Sequence, residues 1–172
     1  MKRVILTSGP RGSGKTTYVE SFLRINPEVK SLSRDGMLIE LFGETSVNSY
    51  AGDHIYVLQT FLERIKETLD KFGDNIDVIA DYWNGWSSER RSLVGKFRDC
   101  GADRVICWKF VTPPDVCFDW FMKKSDVTGS SEHLKGYYEY DYELYHKTSE
   151  NIGEDGFDKV YLINPLQLEL FG

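Results

Sequence analysis

Gly9-Pro10-Arg11-Gly12-Ser13-Gly14-Lys15-Thr16 matches the pattern G-x-x-x-x-G-K-[ST] at every position. On its upstream side, Arg3 to Ser8 is a short apolar run rich in β-formers. On its downstream side, Thr16 to Ile25 places Val19, Phe22 and Leu23 at helical spacing. The order is strand, glycine-rich loop, helix. In that setting the glycines let the backbone curl so that successive N–H groups point inward, and the N-terminus of the following helix adds partial positive charge. The loop is therefore read as a cradle for the phosphates of a nucleoside triphosphate, held by Gly9, Arg11, Gly12, Ser13, Gly14, Lys15, Thr16 and Thr17. Lys15 is expected on the β and γ oxygens, and the Thr16 hydroxyl on Mg²⁺.

Working outward, strands alternate with helices. Val29 to Ser33 reads as a second strand ending at Arg34-Asp35-Gly36, with a short helical stretch through Met37, Leu38, Leu41 and Phe42. Residues 43–52 are rich in Ser, Asn, Thr and Gly, as in a loop. From His54 to Phe72 an apolar stripe of Leu58, Phe61, Leu62, Ile65, Leu69 and Phe72 marks an amphipathic helix. Ile76 to Asp81 is a third strand, Ser87 to Cys100 a helix, and Arg104 to Val111 a nearly continuous apolar strand suited to burial on both faces. Thr112-Pro113-Pro114-Asp115 opens a further helix running to about Lys124, with Thr112 as its expected cap. A Gly/Ser-rich loop covers residues 125–131, a tyrosine-rich helix Glu132 to Ser149, and a fifth strand Lys159 to Ile163. This alternation predicts an α/β fold, a parallel sheet between helix layers, in a single domain over residues 1–172.

Composition narrows the function classes. The formal net charge is −6, yet residues 1–36 carry a surplus of four positives, so cations concentrate where phosphates are expected. An acidic total argues against a protein that coats nucleic acid. Apolar runs are broken by charge well short of a membrane span, and no signal peptide is recognisable, so a cytoplasmic protein without a membrane partner is expected. No obligate protein partner is evident. Cys100, Cys107 and Cys117 lack metal or disulfide spacing and read as buried thiols.

Neither an N/T-K-x-D segment nor an LSGGQ-like segment follows the loop, so a phosphotransferase is favoured over a guanine-specific switch or a transport ATPase. In an open parallel sheet, ligands lie beyond the carboxyl ends of the strands, which aims Asp35 and Asp81 at the site. Asp35 is placed to accept a proton from an acceptor hydroxyl. Asp81 is placed to hold a Mg²⁺-bound water or to orient the acceptor, which makes Thr16 and Asp81 the metal candidates. Arg34 is assigned either to phosphate or to a neighbouring carboxylate. Arg90 and Arg91 read as a solvated helix face. In Tyr137-Tyr138-Glu139-Tyr140-Asp141-Tyr142 the alternating acids speak against stacking on nucleic acid, and a packing helix accounts for the pattern.

Ile5-Leu6-Thr7-Ser8-Gly9, Gly12 to Thr17, Asn26-Pro27, Ser33-Arg34-Asp35, the strand ending at Asp81 and Ser88-Glu89-Arg90-Arg91 occur in the order found in another group. In this set the chain resembles the kinase half of bacteriophage-type polynucleotide 5′-kinases, within the small P-loop kinases that include zeta toxins. The resemblance implies a five-stranded sheet of order 2-3-1-4-5, ATP and Mg²⁺ on Lys15 and Thr16, and Asp35 as general base toward a 5′-hydroxyl. It also implies a lid at about residues 123–136, where Lys123 and Lys124 stand in place of that family's arginines. The family's phosphate-gripping arginine, three residues after the base, is Leu38 here. A nucleotide or other small-molecule hydroxyl therefore stays open as acceptor beside a nucleic acid end, and an ATP-binding switch is a further alternative.

Overall fold

The computed structural model describes residues 1–43, 45, 51–123 and 131–167. Its strands are β1 (Lys2–Ser8), β2 (Lys30–Ser33), β3 (Ile76–Asp81), β4 (Arg104–Phe110) and β5 (Lys159–Ile163). Its helices are α1 (Lys15–Ile25), α2 (Arg34–Phe42), α3 (Ala51–Lys71), α4 (Ser87–Asp99), α5 (Pro114–Met122) and α6 (Ser131–Thr148). The strands form one parallel sheet in the order β2-β3-β1-β4-β5. This is the expected order, and it puts the strand that feeds the phosphate loop at the centre.

The two-residue period of the strands sends alternate side chains to opposite helix layers. Val4, Leu6, Val78, Ala80 and Val105 pack against α2, α3 and α4 through Leu38, Phe61, Ile65, Leu69 and Phe97. Ile5, Ile79, Ile106 and Trp108 face the other way, toward Tyr18, Val19 and Phe22 of α1. Tyr18 and Phe22 meet the Trp108 ring edge-on at centroid distances of 5.5 and 5.0 Å. The apolar stripe read along α3 faces the core from Leu58 to Leu69, whereas Phe72 lies past the helix end and is exposed; each fully enclosed Phe or Leu on that face stabilises the fold by about 1.5–3 kcal/mol relative to exposure.

Local chemistry moves two boundaries. Arg34-Asp35-Gly36, read as the end of a strand, forms the first turn of α2, because the Ser33 hydroxyl accepts the Gly36 N–H at 3.0 Å and caps the helix. Thr112 does not cap α5. Its hydroxyl donates instead to the Ser13 carbonyl at 2.6 Å, and Pro113 takes the cap position with Pro114 as the first helical residue. The loop read at 43–52 and the segment 125–131 lie largely outside the described residues. Among the described residues no helix is long and apolar enough to cross a membrane.

Candidate functional site

The phosphate loop leaves the end of β1 at Gly9 and delivers the chain into α1 at Lys15. Gly12 and Gly14 have φ of +76° and +84°, conformations that a side chain would strain. Space is a second reason for glycine. A Cβ on Gly12 would lie 2.2 Å from the Cys117 carbonyl oxygen, and one on Gly14 would lie 2.7 Å from the Trp120 ring, so α5 sits directly on the loop. Lys15 Nζ donates to the Gly9 and Pro10 carbonyls at 2.7 and 3.0 Å and lies 3.4 Å from Ser13 Oγ. The side chain thus folds back along the loop, within reach of anything seated in it.

A cavity of about 820 Å³ opens beside this loop. Gly9, Arg11, Gly12, Ser13, Gly14, Lys15, Thr16 and Thr17 line it on one side, and Arg34, Asp35 and Asp81 on the strand-end side, with Lys123 at its margin. The structure brings these sequence-selected residues to one place. Lys124 lies outside the described residues, as does half of the segment read as a lid; its residues 131–136 open α6.

Asp35 is exposed on the first turn of α2, with the Arg34 guanidinium 3.8 Å from its carboxylate. Arg34 also lies over the Tyr82 ring, 5.9 Å from the centroid, and burial holds the Tyr82 phenol above its ordinary pKa. Asp81 ends β3 and accepts the Thr7 hydroxyl at 3.1 Å. Lys123 is paired with Asp119 at 2.8 Å on the same helical face.

Sequence reading missed several residues that shape the cavity. Trp83 and Tyr145 stand on its strand-end wall, and Trp120 and Leu166 form an apolar wall beside Gly14 and Tyr18 together with Pro165, which its position after the last strand already suggests for a base. Asp141 of the tyrosine-rich helix is buried and accepts the Arg11 backbone N–H at 2.7 Å and the Trp83 indole N–H at 3.4 Å. The segment containing it packs as expected: Tyr138 is buried beside Phe118 and Phe121, and the Tyr145 phenol is raised in pKa chiefly by burial.

Behind the loop lies a polar brace. Asn84 accepts the Ser8 hydroxyl at 2.7 Å and donates to the Thr7 and Tyr82 carbonyls at 2.9 and 2.7 Å, tying the exit of β1 to the exit of β3. The Asn84 carbonyl receives Arg90 Nη1 at 3.0 Å. Arg90 is therefore not on a solvated face; it is wholly buried and pairs with Asp155 at 2.7 Å. Arg91 is exposed, as expected, though it also approaches Asp155.

Compared with known proteins, residues 4–136 match the AAA_33 family, an AAA domain. The chain belongs to this AAA domain family. Among solved structures, a chain of the Pnkp1/Rnl/Hen1 RNA repair complex superposes with a TM-score of 0.72 at 18% identity, covering 87% of this chain and 46% of that one. This AAA domain chain thus spans less than half the length of that protein. Shikimate kinase from Bacteroides thetaiotaomicron gives a TM-score of 0.60 at 17% identity, over 98% of this chain and 92% of that one. The tunicamycin resistance protein of Deinococcus radiodurans gives 0.55 at 12% identity, over 89% and 96%. At these identities the shared property is the P-loop kinase-like fold. No curated protein matches by sequence.

Proposed function

We propose that this AAA domain chain is an ATP- and Mg²⁺-dependent phosphotransferase that moves the γ-phosphoryl group to a hydroxyl, most simply the 5′-hydroxyl of a polynucleotide. The observation that carries the reading is the placement of two carboxylates, Asp35 and Asp81, on the wall of the same cavity as Lys15 and Thr16. A loop that only bound and released nucleotide could use Asp81 toward Mg²⁺, but it would need no second carboxylate such as Asp35 opposite the loop.

The residues present fit the two cofactors. The loop glycines leave room for a triphosphate, and the apolar wall of Trp120, Pro165 and Leu166 suits a base. Among the described residues no group of three or more acids, His or Cys could hold a metal alone. Magnesium takes much of its shell from phosphate and water, so the Thr16 hydroxyl with Asp81 nearby is an adequate protein share. When bound, the ion supplies charge neutralisation for the β and γ oxygens.

In this reading Lys15 holds the β and γ oxygens, and Asp35 accepts the proton of the acceptor hydroxyl. Arg34 orients Asp35 from 3.8 Å away, and Asp81 directs a water or the acceptor. The transition state of phosphoryl transfer is loose and asks little of a base, so Lys15 and the metal contribute more than Asp35 does.

The polynucleotide acceptor is supported by the ordered motif set around Ser33-Arg34-Asp35. A small-molecule hydroxyl is the second reading, and one observation favours it. Leu38, at the position from which the resembling family grips a nucleic acid phosphate, is fully buried in the core and presents nothing to the cavity. The discriminating experiment supplies γ-labelled ATP and Mg²⁺ with a 5′-hydroxyl oligonucleotide, and in parallel with nucleosides, nucleotides and sugars. Label on the oligonucleotide end supports the first reading, and label on a small compound supports the second. Label released only as inorganic phosphate, at a rate no acceptor changes, would overturn both in favour of a nucleotide switch.

A further inference from the structure

Asp141 is used by none of the roles above. It projects from α6, is 6% exposed, and engages both carboxylate oxygens as acceptors, Oδ2 from the Arg11 N–H at 2.7 Å and Oδ1 from Trp83 Nε1 at 3.4 Å. Both contacts are to donors, as an ionised carboxylate requires. Among the described residues no Lys or Arg forms an ion pair with it. A carboxylate held by hydrogen bonds alone keeps its charge uncompensated beside the cavity it lines.

Its position along the loop indicates what that charge meets. Lys15 Nζ, the group that serves the β and γ oxygens of a triphosphate, rests on the carbonyls of Gly9 and Pro10. The base end lies at the opposite side, where Trp120 and Pro165 crowd Gly14 and Tyr18 lines the wall. The terminal phosphate is therefore at the Gly9–Arg11 side, and Arg11 is where Asp141 is attached. Resting on the nucleotide-binding reading of the loop, we propose that Asp141 determines the selectivity between nucleoside triphosphate and diphosphate: its fixed negative charge opposes the γ-phosphate and leaves a diphosphate largely untouched. Asp81 stands on the same wall, so removing the Asp141 charge lowers the opposition without abolishing it.

The experiment is calorimetric titration of the full chain with ADP and with ATPγS, each with Mg²⁺, for wild type, Asp141→Asn and Asp141→Ser. The quantity read is the ratio of the two dissociation constants within each variant. A loosening shared by the whole loop moves both nucleotides alike and cancels in that ratio, and loss of the Arg11 tether at the terminal-phosphate end alone weakens ATPγS and shifts the ratio toward ADP. The expected result is that both variants bind ATPγS about tenfold more tightly relative to ADP than wild type does, as loss of one nearby charge in a partly screened site implies. An unchanged ratio, or one shifted toward ADP, overturns the proposal while leaving the phosphate-loop reading standing. Failure of wild type to bind either nucleotide overturns that reading and this proposal with it.

Discussion

Arg90 Nε donates to Asp155 Oδ2 across 2.7 Å with both side chains closed off from water, and the remaining guanidinium nitrogens reach the Asn84 and Thr148 carbonyls at 3.0 and 2.5 Å. One buried cation thus joins α4, the end of α6, the turn at Asp155 and the brace that fixes the start of the phosphate loop. Ser87 adds a further hydrogen bond to Asp155.

Removing one partner leaves a buried charge alone, so Arg90→Met and Asp155→Asn should each destabilise the chain by about 3–5 kcal/mol, read as a lowered urea midpoint. The double variant should lose less than the sum of the two singles. Additive losses would mean that the ion pair is not the unit holding these elements.

Arg90 also shows how far the sequence reached. Arg90, Leu93, Val94 and Phe97 share one face of α4 by their spacing, and all four are buried. That face was visible in the sequence as an apolar stripe, but a charge at its head reads as solvated unless its partner is known. The partner lies 65 residues away. The same holds for Asp141 on Arg11, Thr112 on Ser13 and Asn84 on Ser8: each is a long-range hydrogen bond with no local signature. The phosphate loop and the cavity wall at Asp35 and Asp81 were legible because motif spacing and the geometry of a parallel sheet fix them locally, whereas the strand order was implied only by the family resemblance. The shift of Asp35 from a strand end to a helix turn follows from the Ser33 cap, a local signal that the polar run Ser33-Arg34-Asp35-Gly36 concealed.

Asp35→Asn keeps the shape of a side chain that is already exposed, so the fold and nucleotide affinity should hold. Turnover should fall by ~10²–10⁴, the usual worth of a positioned base. Steady-state kinetics beside a nucleotide titration make the check. Loss of nucleotide binding with little change in turnover would move Asp35 out of the proposed role.

Asp158 links stability to pH. Its carboxylate accepts the Val105 N–H at 2.8 Å, while its own N–H returns to the Val105 carbonyl at 2.8 Å, joining the entry of β5 to β4. That backbone hydrogen bond, then the Arg98 guanidinium, hold its pKa below the ordinary value. A depressed folded pKa means that the contribution is complete above the unfolded value, about 3.9, and is lost as pH falls through the folded value. Asp158→Asn should therefore be less stable than wild type at pH 6, and the gap should close toward pH 3, as read from urea midpoints at the two pH values. A gap independent of pH would show that charge is not the cause.

Every role proposed above depends on the loop from Gly9 to Thr16 seating the triphosphate in the grip of Lys15. Equilibrium binding of ATPγS with Mg²⁺ to wild type and to Lys15→Ala, with thermal melts to show that both are folded, tests it most directly. Clear binding to wild type and a loss of at least about tenfold in Lys15→Ala are expected, since a charge-assisted contact to phosphate is worth about 1.5–3 kcal/mol. Equal affinity in the two folded proteins would contradict it.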